Sequence, residues 1–219
     1  MLVTHRENDI PSQTNIVLSS SVLERLDAKL MSQTIVIAHG GYPCVNVLHS
    51  RPKTHDIDFI LHYDTPSFTQ TLSTLQMHIA AVASEMSIAA DWMNSDGGGF
   101  LGADLFTVSR RAVTQGILLF PGTYLKVYAA EWKSQLIGKL NRITNWEMQL
   151  EFSRPRDASD AAAMLTQFPQ PRNRAWLRRL RALAPNECSV ADITQYGVPK
   201  VNEAYAQMYY GQIGIDLSS

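Results

Sequence analysis

Short apolar, β-branched runs alternate along this chain with stretches whose apolar residues recur every three or four positions. Leu23, Leu26, Leu30 and Met31 predict a helix from Ser20 to Ser32, opened by a Ser-Ser-Val-Leu-Glu start. Ile35-Val36-Ile37 predicts a buried strand that ends at Gly40-Gly41, and Tyr42 to His49 a short helix with Pro43 in its first turn. Asp56 to Leu61 predicts a second strand. Phe68, Leu72, Leu75, Ile79 and Val82 then share one face of a helix from about Ser67 to Met86. Ser87 to Met93 is expected as a third strand, and SDGGGFLGAD as a loop. Phe106–Arg111, Ile117–Phe120 and Leu125–Ala129 read as short strands separated by turns at Gly116 and Pro121-Gly122.

From about Glu131 the pattern becomes helical, carrying Trp132, Leu136, Ile137 and Leu140, and a further helix is expected from Ala161 to Phe168. Pro169 and Pro171 mark a break. In NRAWLRRLRALA, one face holds Arg174, Arg178 and Arg181 and the other Trp176, Leu177, Leu180 and Leu183. A solvated basic face and a nucleic-acid groove both suit that pattern. A last helix is expected from about Val201 to Tyr210. The fold class is therefore α+β, with helices gathered toward the C-terminus. Trp92, Trp132 and Trp146 are expected in the core.

Composition narrows the function more than the fold. At 219 residues and 45% hydrophobic, the chain can bury a substantial core. A formal charge of −1 argues against a protein built mainly to hold polyanions. Cys44 and Cys188 stand far apart, so neither a disulfide framework nor a zinc motif is expected. No apolar run approaches the roughly 18 residues that span a bilayer, and the polar start MLVTHRENDIPSQT lacks a secretory core. A cytoplasmic protein with no membrane partner is the expectation.

Chemistry concentrates between Thr34 and Leu61. Alternate residues of a strand share a face, so Asp56 and Asp58 point one way while Ile57, Phe59 and Leu61 point the other. Adjacent carboxylates repel, and a hard divalent cation offsets that cost. Gly40 and Gly41 let backbone approach a phosphate closely, with a helix N-terminus beyond them favouring an anion. The plainer alternative is an ordinary turn followed by an edge strand with two solvated aspartates.

The order Gly40-Gly41, Arg51, Thr54, Asp56-Ile57-Asp58 resembles the nucleotidyltransferase fold, in particular its abortive-infection toxin-like branch. Lys139-Leu140, Arg154, Arg156-Asp157 and Asp160 match that branch in order as well, so the resemblance covers about residues 20 to 168. It implies a mixed β-sheet flanked by helices over residues 1–168, with a helical C-terminal extension over 169–219. It also implies Mg²⁺ (or Mn²⁺) held by Asp56 and Asp58, and a nucleoside triphosphate, ATP among them, met by Gly40, Gly41, Arg51, Thr54 and Lys139. The implied reaction moves a nucleotide to a hydroxyl on RNA, protein or a small molecule.

His39 and His55 flank this region as acid–base candidates, since imidazole titrates near neutrality. Asp157 and Asp160 are expected to cap a helix and neutralise its basic neighbours rather than to react. The family's third carboxylate is not evident. Lys126 and Tyr128 stand where it would be useful, leaving Asp91 as the first choice and Asp104 and Glu131 as weaker ones. That departure keeps two alternatives open: a small-molecule step without a nucleotide, and a non-catalytic binding protein of the toxin–antitoxin kind.

Overall fold

The computed structural model describes residues 20–95, 105–148, 156–183 and 188–218. Its frame is a five-stranded mixed sheet in the order β3-β2-β1-β5-β4. The central strand β1 (Thr34–His39) runs antiparallel to β2 (Ile57–Leu61) and parallel to β5 (Leu125–Ala129). The edges are β3 (Met93–Asn94), parallel to β2, and β4 (Leu118–Pro121), antiparallel to β5.

Period-two alternation gives the sheet two buried faces. Val36, Ala38, Ile57, Phe59 and Leu61 meet α1 (Ser20–Asp27) and α3 (Phe68–Met86) through Leu23, Leu26, Leu75, Ile79 and Val82. Ile37 and Ile60 face the other way, onto Val108 and Ala112 of α4 (Leu105–Gln115). His39 and Asp58 continue the Ile37 and Ile60 positions, so this second face carries the chemistry. Beyond Ala130, α5 (Trp132–Glu147) and α6 (Asp157–Leu165) build a separate apolar cluster with α7 (Arg174–Arg181) and α9 (Val198–Met208). The approach to α9 runs through α8 (Val190–Asp192) and a π-helical turn, Ile193–Gly197. The helix α2 (Gly41–Asn46) contributes Cys44 to the same cluster.

Two expected strands are corrected. Phe106–Arg111 lies within α4, because Val108 and Ala112 one turn apart bury together, and a helical face outweighs the short Phe106/Val108 alternation. Ser87 to Met93 contributes only Met93 to a strand. Ser87 ends α3 in the left-handed region (φ 51°), and the Ile88 N–H returns to the Ala83 carbonyl at 3.0 Å. That closing bond consumes the residues expected to extend. Trp92 and Trp132 are buried, but Trp146 is 43% exposed at the end of α5. The stretch from Asp96 to Asp104 and Arg154 lie outside the described residues.

Candidate active site

The C-terminal end of β1 and the start of β2 meet because the strands are antiparallel, with His39 paired to Asp58. Asp56 immediately precedes β2, and the Ile57 N–H is held by the Trp92 carbonyl at 2.8 Å. Both aspartates remain half-buried beside buried Ile57. Gly40 turns the chain at φ +70°, and a Cβ there would stand 2.7 Å from Asp58 Oδ2. A Cβ on Gly41 would lie on the Thr54 hydroxyl and 3.0 Å from Arg51 Nη1. The glycine turn is thus fitted against Asp58, Thr54 and Arg51, and a larger residue at either position would displace them. The Thr54 hydroxyl is within 3.3 Å of the Asp56 carbonyl and 3.4 Å of Asp56 Oδ1, linking that turn to the aspartate pair.

Behind the turn lies a buried ion network that joins α2–β2 to α5 and α6. Lys139, only 2% exposed, donates to Asp157 Oδ1 (3.0 Å) and Asp160 Oδ2 (2.8 Å). Arg142, one turn further on α5, grips Asp157 with Nε (2.9 Å) and Nη2 (3.1 Å). Arg51 donates to Asp160 Oδ2 at 2.5 Å, and the Ser50 hydroxyl to Asp160 Oδ1 at 2.7 Å. Both aspartates fall in the first turn of α6, where the helix dipole also favours negative charge. Burial pushes the Asp157 carboxyl up, but hydrogen bonds and charge from Arg142 and Lys139 outweigh it and hold it well below the usual carboxylate range. The Arg142 guanidinium is held more firmly charged despite its burial, by Asp157 first and then by Asp58 and Asp160.

His39 is buried at the junction of these two parts, and its Nε2 has no hydrogen-bond partner. Burial, reinforced by the positive charge of Arg142 and Lys139, lowers its pKa to about 3, so the ring is neutral at pH 7 and too weakly basic to accept a proton there. His55 is exposed in the bend before Asp56. Cys44 donates to the Gly40 carbonyl at 3.1 Å, and burial pushes its thiol up to about 11.

The register of β3 decides what stands level with Asp58. Ile57 pairs with Met93 and Asp58 with Asn94, so Asn94 stands level with Asp58. Asp91, three residues earlier, is exposed and lies in the turn that precedes β3, where the Trp92 N–H bonds to the Ala89 carbonyl at 3.2 Å. Glu131 is engaged by the Ser134 hydroxyl at 3.2 Å and lies 3.7 Å from Arg111. Asp104 is outside the described residues. Gly40, Gly41, Arg51, Thr54, Asp56, Asp58 and His39 are therefore brought together, and Lys139 stands behind them. Arg142 was missed, although its position three residues after Lys139 puts it on the same helical side.

Among the described residues, no three His, Cys, Asp or Glu side chains gather as a metal cluster. The Asp56–Asp58 pair nonetheless fits Mg²⁺, which is commonly held by one or two carboxylates and takes its remaining ligands from water and phosphate. Comparison of the chain with protein-family models, with characterised proteins and with solved structures gave no match.

Proposed function

We propose that this chain is a metal-dependent nucleotidyltransferase, moving a nucleotide from a nucleoside triphosphate to a hydroxyl acceptor. The observation that carries the reading is the fit of the Gly40–Gly41 turn against Asp58, Thr54 and Arg51, which seats a glycine turn and a guanidinium beside a carboxylate pair. Asp56 and Asp58 would hold Mg²⁺, which supplies charge neutralisation at the phosphates when bound.

The chain's own groups supply positioning. Gly40 and Gly41 offer close backbone approach. Arg51 and Arg142, with side chains 14% and 21% exposed, are the cations that reach the surface of the network. Lys139 acts through them: fully paired to Asp157 and Asp160, it fixes the carboxylates that orient both guanidinia. Neutral, buried His39 is too weakly basic to act as a general base.

Melting the protein with Mg²⁺ and each of the four nucleoside triphosphates tests the reading, because a ligand that binds the folded state raises its apparent stability. At least one triphosphate should raise the melting temperature of the parent, and Asp58→Asn should abolish both that shift and label transfer from the α-phosphate. No shift with any of the four would defeat the proposal. A second reading rests on His39 and Asn94, rather than an acid, flanking Asp58 across the sheet. A small-molecule step without a nucleotide, or a non-catalytic binding role, would then use the same cleft. Triphosphate binding without transfer to any hydroxyl acceptor would favour the non-catalytic form.

A further inference from the structure

The helix α6 is gripped at both ends by groups from elsewhere in the chain. At its start, Asp157 and Asp160 meet Lys139, Arg142, Arg51 and Ser50. Its middle, Ala161-Ala162-Ala163, is buried but offers no long side chain to interlock with its neighbours, so its position along its axis rests on the two ends. At the far end the Leu165 carbonyl accepts from Nη1 of buried Arg172 at 2.7 Å, and Arg172 Nη2 reaches the Tyr205 hydroxyl of α9 at 3.3 Å. A cation at a helix C-terminus also suits the helix dipole.

A strap, residues 211–218, covers that far end. After α9 the backbone turns back through Tyr210 (φ 55°) and Gly211 (φ 80°). Asn202 of α9 then holds the strap backbone twice, donating to the Ile215 carbonyl at 2.9 Å and accepting the Ile215 N–H at 2.8 Å. The Asp216 N–H bonds to the Arg172 carbonyl at 2.9 Å, and Ile215 is buried in the second apolar cluster. Gly214 has no room for a side chain. A Cβ there would stand 2.7 Å from Leu165 Cδ1, 3.0 Å from Tyr205 Cγ and 3.1 Å from Asn202 Oδ1. The strap therefore lies against Leu165 directly and reaches it a second time through Arg172. Its approach is lightly held, with Tyr210 99% and Ile213 62% exposed.

We propose that this strap is a conformational latch on the cleft. Seated, it fixes α6 where Asp160 meets Arg51 and Ser50; unseated, it lets α6 shift and residues 50–56 part from it. The coupling runs through one helix, about 12 Å from Asp157 to Leu165 at 1.5 Å per residue. A ligand that captures the free strap would thereby loosen the cleft without entering it, by favouring the unseated arrangement. The latch concerns the geometry of the cleft and not what it binds. Its test needs neither metal nor triphosphate and stands apart from the nucleotidyltransferase reading.

Amide hydrogen exchange, followed by mass spectrometry on the full chain, compares the parent with Asn202→Ala, which removes both side-chain bonds to the strap and leaves the strap sequence intact. Exchange in residues 211–218 should quicken roughly 5- to 160-fold, the loss of two net hydrogen bonds. The latch requires that exchange also quicken, by a smaller factor, in the segments carrying two reporter amides. These are Asp160 N–H, bonded to the Arg156 carbonyl at 3.0 Å, and Ser50 N–H, bonded to the Cys44 carbonyl at 3.1 Å. The helix α3, packed on the other face of the sheet, should keep its parental rates. Should Asn202→Ala melt early, Gly214→Ala, which fills the notch beside Leu165 and Tyr205, replaces it and should give the same pattern. Faster exchange confined to residues 211–218 and α9 would overturn the latch. Acceleration in α3 equal to that around Ser50 would overturn it as well, since that marks a general loosening.

Discussion

Replacing Asp160 by Asn removes one charge from the centre of the buried network and leaves the volume unchanged. In the parent, Asp160 is fully buried and accepts from Lys139, Arg51 and Ser50. Losing one partner of a buried ion pair costs about 3–5 kcal/mol, because the surviving charge stays desolvated. Lys139 retains Asp157, and Arg51 has some access to water, so the lower end applies, about 3 kcal/mol. For a chain of this size that lowers the melting temperature by about 6–12 °C, at roughly 2–4 °C per kcal/mol. Melting followed by circular dichroism at pH 7 measures it, and the loss should persist at high salt, since buried pairs are poorly screened. Lys139→Met in the Asp160→Asn background should cost less than the sum of the two single changes by more than about 1 kcal/mol. Melting within 2 °C of the parent, or strict additivity in the double variant, would refute the coupling described here.

Other consequences are as direct. Gly41→Ala should push Thr54 and Arg51 out of place, and isothermal titration with Mg²⁺ and the preferred triphosphate should show at least a tenfold loss of affinity. His39 is lowered to about 3 in the folded chain against about 6.5 unfolded, so the unfolded state binds the extra proton between those values and stability falls on acidification. Urea melts should show up to about 1.4 kcal/mol lost per pH unit below pH 6.5 from this group, and His39→Gln should flatten that slope. Asp157 acts in the same direction at lower pH, its depressed pKa giving stability that is complete above the unfolded value near 4 and lost as pH falls below it. Asp157→Asn should therefore be less stable than the parent at pH 7, with the gap narrowing below about pH 4 in the same urea series. Cys44, with its thiol pushed up to about 11, should resist iodoacetamide in the native chain at pH 8 and react only when unfolded.

The sequence disclosed elements whose signal is local. β1, β2, β5 and α3 fall where β-branched runs or a sustained helical face demand them. Phe106–Arg111 failed because six residues fit either period, and the deciding partner, Ala112, lies just beyond them. The Gly40–Gly41 turn and the Asp56–Asp58 pair were legible because both sit within 20 residues of chain. The level of Asn94 with Asp58 was not, since it depends on the register between β2 and β3, which alternation alone does not fix. Nor were the partners of Lys139 legible: Asp157 and Asp160 stood out as helix-opening acids, but their pairing with Lys139, Arg142 and Arg51 exists only once α5, α6 and the α2–β2 loop have packed.

Two of the joints that define this molecule tie its beginning to much later sequence. Asp27, at the end of the first helix, accepts from the backbone N–H groups of Thr123, Tyr124 and Leu125, and Arg51 finds Asp160 a full 109 residues downstream. Synthesis proceeds from the N-terminus, so the ribosome must release β5 before the sheet can close beside β1, and α6 before the cations of the cleft are neutralised. Until then a nascent chain carries Arg51, Lys139 and Arg142 without their counter-charges and an α5 lacking its helical partners. Premature termination anywhere before Asp160 yields a fragment with an unfinished cleft.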